Sequence, residues 1–159
     1  MKLPRQKLYI TFKDLFNFFN DLLLSKSLSR GKIVFEFEKK ITNYYNVKRC
    51  FALSSARIGL YYLLKSLDLS EDDEVLLTPL QIPDYLNIIN EFKLKPIFIE
   101  MDKNSHSIDI NDLKKKINNK SKVLLLTFLA GMLPEINRIR EICNNNNIFI
   151  IEDISQSYG

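Results

Sequence analysis

The order of apolar and polar positions changes period part-way along the chain. Phe12, Leu15, Phe16, Phe19, Leu22 and Leu23 recur at helical spacing and predict one apolar stripe on a helix. Thr11 followed by Asp14 gives that helix a capping pattern at its start. The polar stretch "SKSLSRGK" interrupts it, and a second helical pattern follows. There Ile33, Phe37, Ile41 and Tyr44 share a face, with Glu36, Lys39 and Lys40 on others. After Asn46 strands and helices alternate. Short apolar runs at 49–53, 74–77, 96–99, 122–128 and 148–151 read as buried strands. Helical patterns at 56–67, 84–92, 111–117 and 134–145 separate them. Five strands alternating with four helices predict an α/β fold with a parallel sheet covered on both faces. The organisation expected is a helical segment over 1–47 and an α/β domain over 48–159. Asn144 to Asn147 read as a helix terminus and turn.

Composition narrows the class without naming a function. The chain has 159 residues, 46% hydrophobic and 26% charged, which suits a globular core. The net charge of +4 is too small to argue for nucleic acid, and no nucleic-acid partner is expected. Lys114, Lys115 and Lys116 read as a solvated helix face. Cys50 and Cys143 form neither a CxxC nor a metal spacing, so a reduced, cytoplasmic chain is expected. The stretch "FKDLFNFFNDLLL" is too short and too polar to span a bilayer, so no membrane partner is expected. No signal peptide is read at the start. His106, the only histidine, lies in a polar stretch and reads as a surface loop.

In parallel α/β sheets ligands bind at the carboxyl ends of the strands. Three segments fall there: "LSSAR", "TPLQIPD" and "EDISQSYG". Ser54 and Ser55 stand between a strand and a helix, where hydroxyls and free backbone N–H groups suit a phosphate. Arg57 adds a charged donor. The alternative is an ordinary serine N-cap. Asp153, just past the last apolar run, can serve a ligand, cap a helix or pair with a cation. Gln156 can present its amide to the same ligand or lie in solvent. GxGxxG and GxxxxGK[ST] are both absent, which argues against a nucleotide-binding domain of those kinds.

Four segments, in order, resemble the DegT/DnrJ/EryC1/StrS family of sugar aminotransferases. Residues 10–53 look like the family's helix, Gly-containing turn, second helix with an "EFE"-like segment, and first strand. "SARIGLYYLLKSLDLSEDDEVLLTP" is similar to its Ser-Gly-Thr-x-Ala-Leu helix and following GDEV strand. "KLKPIFIEMDKNSHSID" is similar to its G-x-x-P-V-F-V-D segment, and "IIEDISQSYG" to its E-D-x-A-Q-x-x-G. The resemblance implies part of a pyridoxal-phosphate transferase large domain, a three-layer αβα fold truncated at its carboxyl end. It implies cofactor-binding roles for Ser55, Ala56 and Arg57 at the phosphate, Asp153 at the pyridine nitrogen and Gln156 beside the phenolic oxygen. It also implies a homodimer that moves an amino group from an amino-acid donor to a nucleotide-linked keto-sugar.

The departures are specific. Arg57 stands where Thr is commoner, and Pro83 where an aromatic stacks on the pyridine ring. Tyr85 is near but out of register. Ser70 and Glu71 replace a Gly, and Thr127 or Phe128 stands where the family has His. The resemblance places the Schiff-base Lys downstream of E-D-x-A-Q, whereas the last lysine here is Lys122. No catalytic residue is therefore assigned, weak or absent cofactor binding is expected, and the chain alone is expected not to turn over. A dehydratase, in which His replaces that Lys, is one alternative. A non-catalytic remnant serving as a binding or association module is another. The implied sheet places 96–99, 74–77, 122–128 and 148–151 side by side in that order, with 49–53 separate or badly paired.

Overall fold

The computed structural model describes residues 10–24 and 31–157. The interruption expected over 25–30 lies outside them, as do Tyr158 and Gly159 of the last motif. Two compact units are present, Met1–Ala52 and Leu53–Gly159.

In the first unit, helix α1 (Phe12–Leu24) starts as its capping pattern requires. The Thr11 hydroxyl and amide both donate to Asp14 Oδ2, at 2.6 and 2.8 Å, and the Asp14 amide donates back to Thr11 Oγ1 at 3.2 Å. Helix α2 (Lys32–Tyr45) ends on Asn46, whose φ of 50° is a left-handed stop that Asn tolerates. Neither helix buries a described residue. The strand expected over 49–53 is not formed. An apolar run becomes a strand only where a neighbour takes its backbone groups. Here the Ala52 amide donates instead to the Glu38 side chain at 2.8 Å, and Phe51 and Leu53 stay exposed.

The second unit is a four-stranded, all-parallel sheet in the order β2-β1-β3-β4. The strands are β1 (Glu74–Leu77), β2 (Lys95–Phe98), β3 (Ser121–Thr127) and β4 (Phe149–Asp153). Spatially this is the order that the resemblance implied. Helix α3 (Ala56–Ser66) precedes β1, α4 (Pro83–Glu91) joins β1 to β2, α5 (Ile110–Lys116) joins β2 to β3, and α6 (Ile136–Asn145) leads into β4. Asp109 caps α5 by accepting from the Asn111 and Asp112 amides at 2.7 and 3.1 Å.

Side chains alternate across a strand, so the core has two halves. Val75, Leu77, Val123 and Leu125 face Leu60 and Leu64 of α3 and Tyr85 and Ile89 of α4. Leu76, Leu124 and Leu126 face Leu113 of α5 and Ile139, Ile142 and Cys143 of α6. Each such side chain contributes roughly 1.5–3 kcal/mol by leaving water. No helix among the described residues is long and apolar enough to cross a membrane.

The same alternation decides the fate of the two carboxylates in "IIED". Asp153 is the last residue of β4, opposite Thr127 of β3, rather than just beyond the strand. It stands two residues after Ile151, which packs on the α3–α4 half of the core, so it points to that face. Glu152 points to the other face, where Arg140 of α6 donates to its carboxylate at 2.7 Å.

Candidate functional site

The carboxyl ends of β1, β3 and β4 and the first turns of α3 and α4 surround one cleft. It encloses about 500 Å³, and Ala56, Gln81, Tyr85, Thr127, Asp153 and Gln156 are among its lining residues. A second, apolar hollow of about 290 Å³ also touches Ala56, Tyr85 and Asp153 and runs in along Gly59, Leu60 and Leu125. The larger volume is in the range of small-molecule and cofactor sites.

Asp153 is held by two donors. The Tyr85 hydroxyl donates to its Oδ2 at 2.9 Å, and the Ser155 amide to its Oδ1 at 3.0 Å. Each carboxylate oxygen can accept a further bond. Tyr85 is only 4% exposed, one helical turn before Ile89 on the buried face of α4. Burial, reinforced by the bond to Asp153 and by that residue's charge, pushes the phenol up to about 12. Arg57 acts weakly in the opposite sense.

Of the residues singled out in the sequence, Ala56, Asp153 and Gln156 line the cleft together. Ser55 caps α3, its hydroxyl accepting from the Ile58 amide at 3.3 Å. That bond is the ordinary N-cap geometry, and the hydroxyl proton is left to donate. Arg57 pairs with Asp84 in the first turn of α4, at 2.5 Å. Both are about half exposed, which keeps the pair's own contribution within about 1 kcal/mol. Gln156 turns its carbonyl oxygen to the Ala130 amide at 2.9 Å.

Sequence reasoning gives no site role to three contributors. Tyr85 is out of register for the stacking aromatic that the resemblance implies, yet its spacing from Ile89 marks it as a buried helix position. Gln81 and Thr127 bridge the tips of β1 and β3. The Gln81 amide donates to Thr127 Oγ1 at 2.8 Å, and the Thr127 hydroxyl donates back to Gln81 Oε1 at 3.0 Å. The two side chains satisfy each other, and the Gln81 amide also reaches Thr78 Oγ1 at 3.4 Å, so the pair is a polar part of the cleft lining. Nothing in their local sequence signals that pairing, because 46 positions separate them.

A parallel α/β unit with a clamped carboxylate at one strand tip, and two helix N-termini nearby, is of the class of α/β sheets whose candidate site lies at the carboxyl ends of the strands. The comparisons with known proteins refine that class: the chain belongs to the DegT/DnrJ/EryC1/StrS aminotransferase family, whose model matches residues 11–159. It is 27% identical to a GDP-perosamine synthase of Vibrio cholerae over 131 residues, 82% of this chain and 36% of that protein. Among solved structures, an aminotransferase from Psychrobacter cryohalolentis superimposes with a TM-score of 0.87 at 22% identity, over 95% of this chain and 38% of that one. PseC of Helicobacter pylori, an aminotransferase involved in the biosynthesis of pseudoaminic acid, gives 0.77 at 27% identity, over 84% and 36%. The chain thus spans little more than a third of the length of these relatives.

Proposed function

We propose that this chain carries the pyridoxal-phosphate-binding part of a nucleotide-sugar aminotransferase. The observation that carries the reading is Asp153, clamped at the tip of β4 by Tyr85 and Ser155 and facing a cleft of cofactor size. The donor set fits the group. A carboxylate with free lone pairs suits a protonated ring nitrogen, and the capped start of α3, with the Ser55 hydroxyl and Arg57, suits a phosphate. Pyridoxal phosphate, when bound, supplies an electron-accepting ring. The residues of this chain hold and orient it. Asp153 keeps the proton at the ring nitrogen. Gln156 and the Gln81–Thr127 pair offer polar contacts on the same cleft. Ala56 leaves room where a larger side chain would fill it. Arg57 gives its Nη1 to Asp84 and keeps further N–H groups that can donate to an anion.

The substrates proposed are a nucleotide-linked keto-sugar and an amino-acid donor, as the names of the relatives suggest. Turnover, and the homodimer in which it takes place, are assigned to a protein of the family's full length. The two free cysteines favour a reducing, cytoplasmic setting.

A second reading, a non-catalytic association module, is favoured by α1 and α2. Phe12, Phe16, Leu23 and Leu24 of α1 are 66–91% exposed. Apolar faces of that kind invite partners.

Equilibrium dialysis against pyridoxal 5′-phosphate tests the first reading. Wild-type protein is expected to retain the ligand, and Asp153→Asn to bind it about tenfold more weakly. Absence of binding by folded wild-type protein, together with concentration-dependent self-association, would replace it by the second.

A further inference from the structure

We propose that Tyr85 is the positioning residue for Asp153, fixing the carboxylate in the orientation that receives the ring nitrogen of the ligand. The inference rests on the cofactor reading given above and adds to it a residue that the family pattern does not supply. A carboxylate at a strand tip rotates about its last side-chain bond unless both oxygens are engaged. Here they are engaged from two directions. Ser155 supplies a backbone amide to Oδ1, and Tyr85 supplies a hydroxyl to Oδ2.

The two donors come from different parts of the fold. Ser155 lies in the loop directly after β4. Tyr85 comes from another element. It is anchored on the buried face of α4 beside Ile89, in the half-core that includes Leu77 and Leu125. Its ring has two rotatable bonds, and it is 4% exposed, so the hydroxyl has little freedom. The bond fixes the plane of the carboxylate relative to the sheet core and leaves one acceptor direction on each oxygen. Tyr85 also lines the cleft, so its hydroxyl lies at the boundary between core and ligand space. It touches the carboxylate and not the reacting atoms, which makes it a positioning residue and not a catalytic one.

The test compares two probes, pyridoxal 5′-phosphate and the isosteric analogue with C–H in place of the ring nitrogen. Wild-type protein is expected to prefer the pyridine by about tenfold. Tyr85→Phe keeps the ring and its packing. It is expected to lose most of that preference while binding the analogue as wild type does. A structural role alone would weaken both probes equally, and that result, or an undiminished preference, would overturn the proposal. In wild-type protein labelled with 13Cζ-tyrosine, the pyridine probe is expected to shift one tyrosine resonance that the analogue leaves in place. The same response to both probes would also overturn it. A wild-type protein that binds both probes equally well, or neither, would instead remove the cofactor reading of Asp153 on which the proposal stands.

Discussion

Replacing Tyr85 by Phe removes one hydroxyl and little else, and its effect on stability can be worked out across pH. At neutral pH the variant loses a hydrogen bond to a charged acceptor, worth roughly 1.5–3 kcal/mol when fully buried. Asp153 is only half-buried, so water replaces part of the bond, and about 1–2 kcal/mol is expected. At high pH the sign reverses. Burial, helped by the bond to Asp153 and its negative charge, pushes the phenol up to about 12 from an ordinary value of 10.0. Below pH 10 folded and unfolded chains both hold the proton, and the gap between wild type and variant is constant. Between pH 10 and 12 the unfolded chain releases it while the folded chain keeps it. Wild-type stability then falls by about 1.4 kcal/mol per pH unit, roughly 2.7 kcal/mol in all. The variant has no phenol at this position and lacks that loss. Lysines and the other tyrosines titrate in both proteins and cancel in the difference. Urea unfolding of the two proteins at intervals from pH 8 to 11.5 is the assay. The difference is expected to favour wild type by about 1–2 kcal/mol below pH 10, to fall steadily above it and to reach or pass zero by about pH 11.5. A difference that stays flat to pH 11.5 would refute the buried, Asp153-bonded phenol.

Other outcomes follow from single features of the fold. Leu124→Ala, at a fully buried position of β3, is expected to cost about 2–5 kcal/mol in urea unfolding, since the surrounding half-core cannot collapse fully into the space. Asp109→Ala removes the cap of α5 and is expected to cost about 0.5–2 kcal/mol by the same measurement, with Asp109→Asn losing less. Burial raises the Cys143 thiol to about 11, so at pH 8 Cys143 is expected to react with a thiol reagent only in denaturant. The half-buried Cys50 is expected to react in the folded protein. Arg57→Ala, which breaks an exposed pair with Asp84, is expected to change stability by less than about 1 kcal/mol while weakening retention of pyridoxal phosphate.

Much of this architecture was legible because it rests on local periodicity. The apolar run at 74–77 is β1 without adjustment, and the boundaries of α3 to α6 lie within one or two residues of their sequence patterns. The order of the strands was legible only through the family resemblance, since periodicity alone leaves neighbours unassigned. Residues 49–53 read as a strand because apolar character signals burial, yet they form none, since a strand also needs a partner for its backbone; that they stay out of the sheet agrees with the separate or badly paired segment expected. Asp153 was found from its position, but its place inside β4 depends on a register with Thr127 that no local pattern encodes. The pairings of Tyr85 with Asp153, Arg57 with Asp84 and Gln81 with Thr127 join positions 68, 27 and 46 apart. They arise from the way α3 and α4 start over the tips of the strands, which is a property of the assembled sheet.

The role proposed for Asp153 is to hold the protonated ring nitrogen of pyridoxal phosphate. It is tested most directly by 15N NMR of pyridoxamine 5′-phosphate labelled at the ring nitrogen. The probe is bound to wild-type protein and to Asp153→Asn, and followed at pH values where the free ligand has lost its ring proton. The ring nitrogen is expected to be protonated in complex with wild type and unprotonated with Asp153→Asn. An unprotonated nitrogen in the wild-type complex, or the same protonated signal with both proteins, would contradict it.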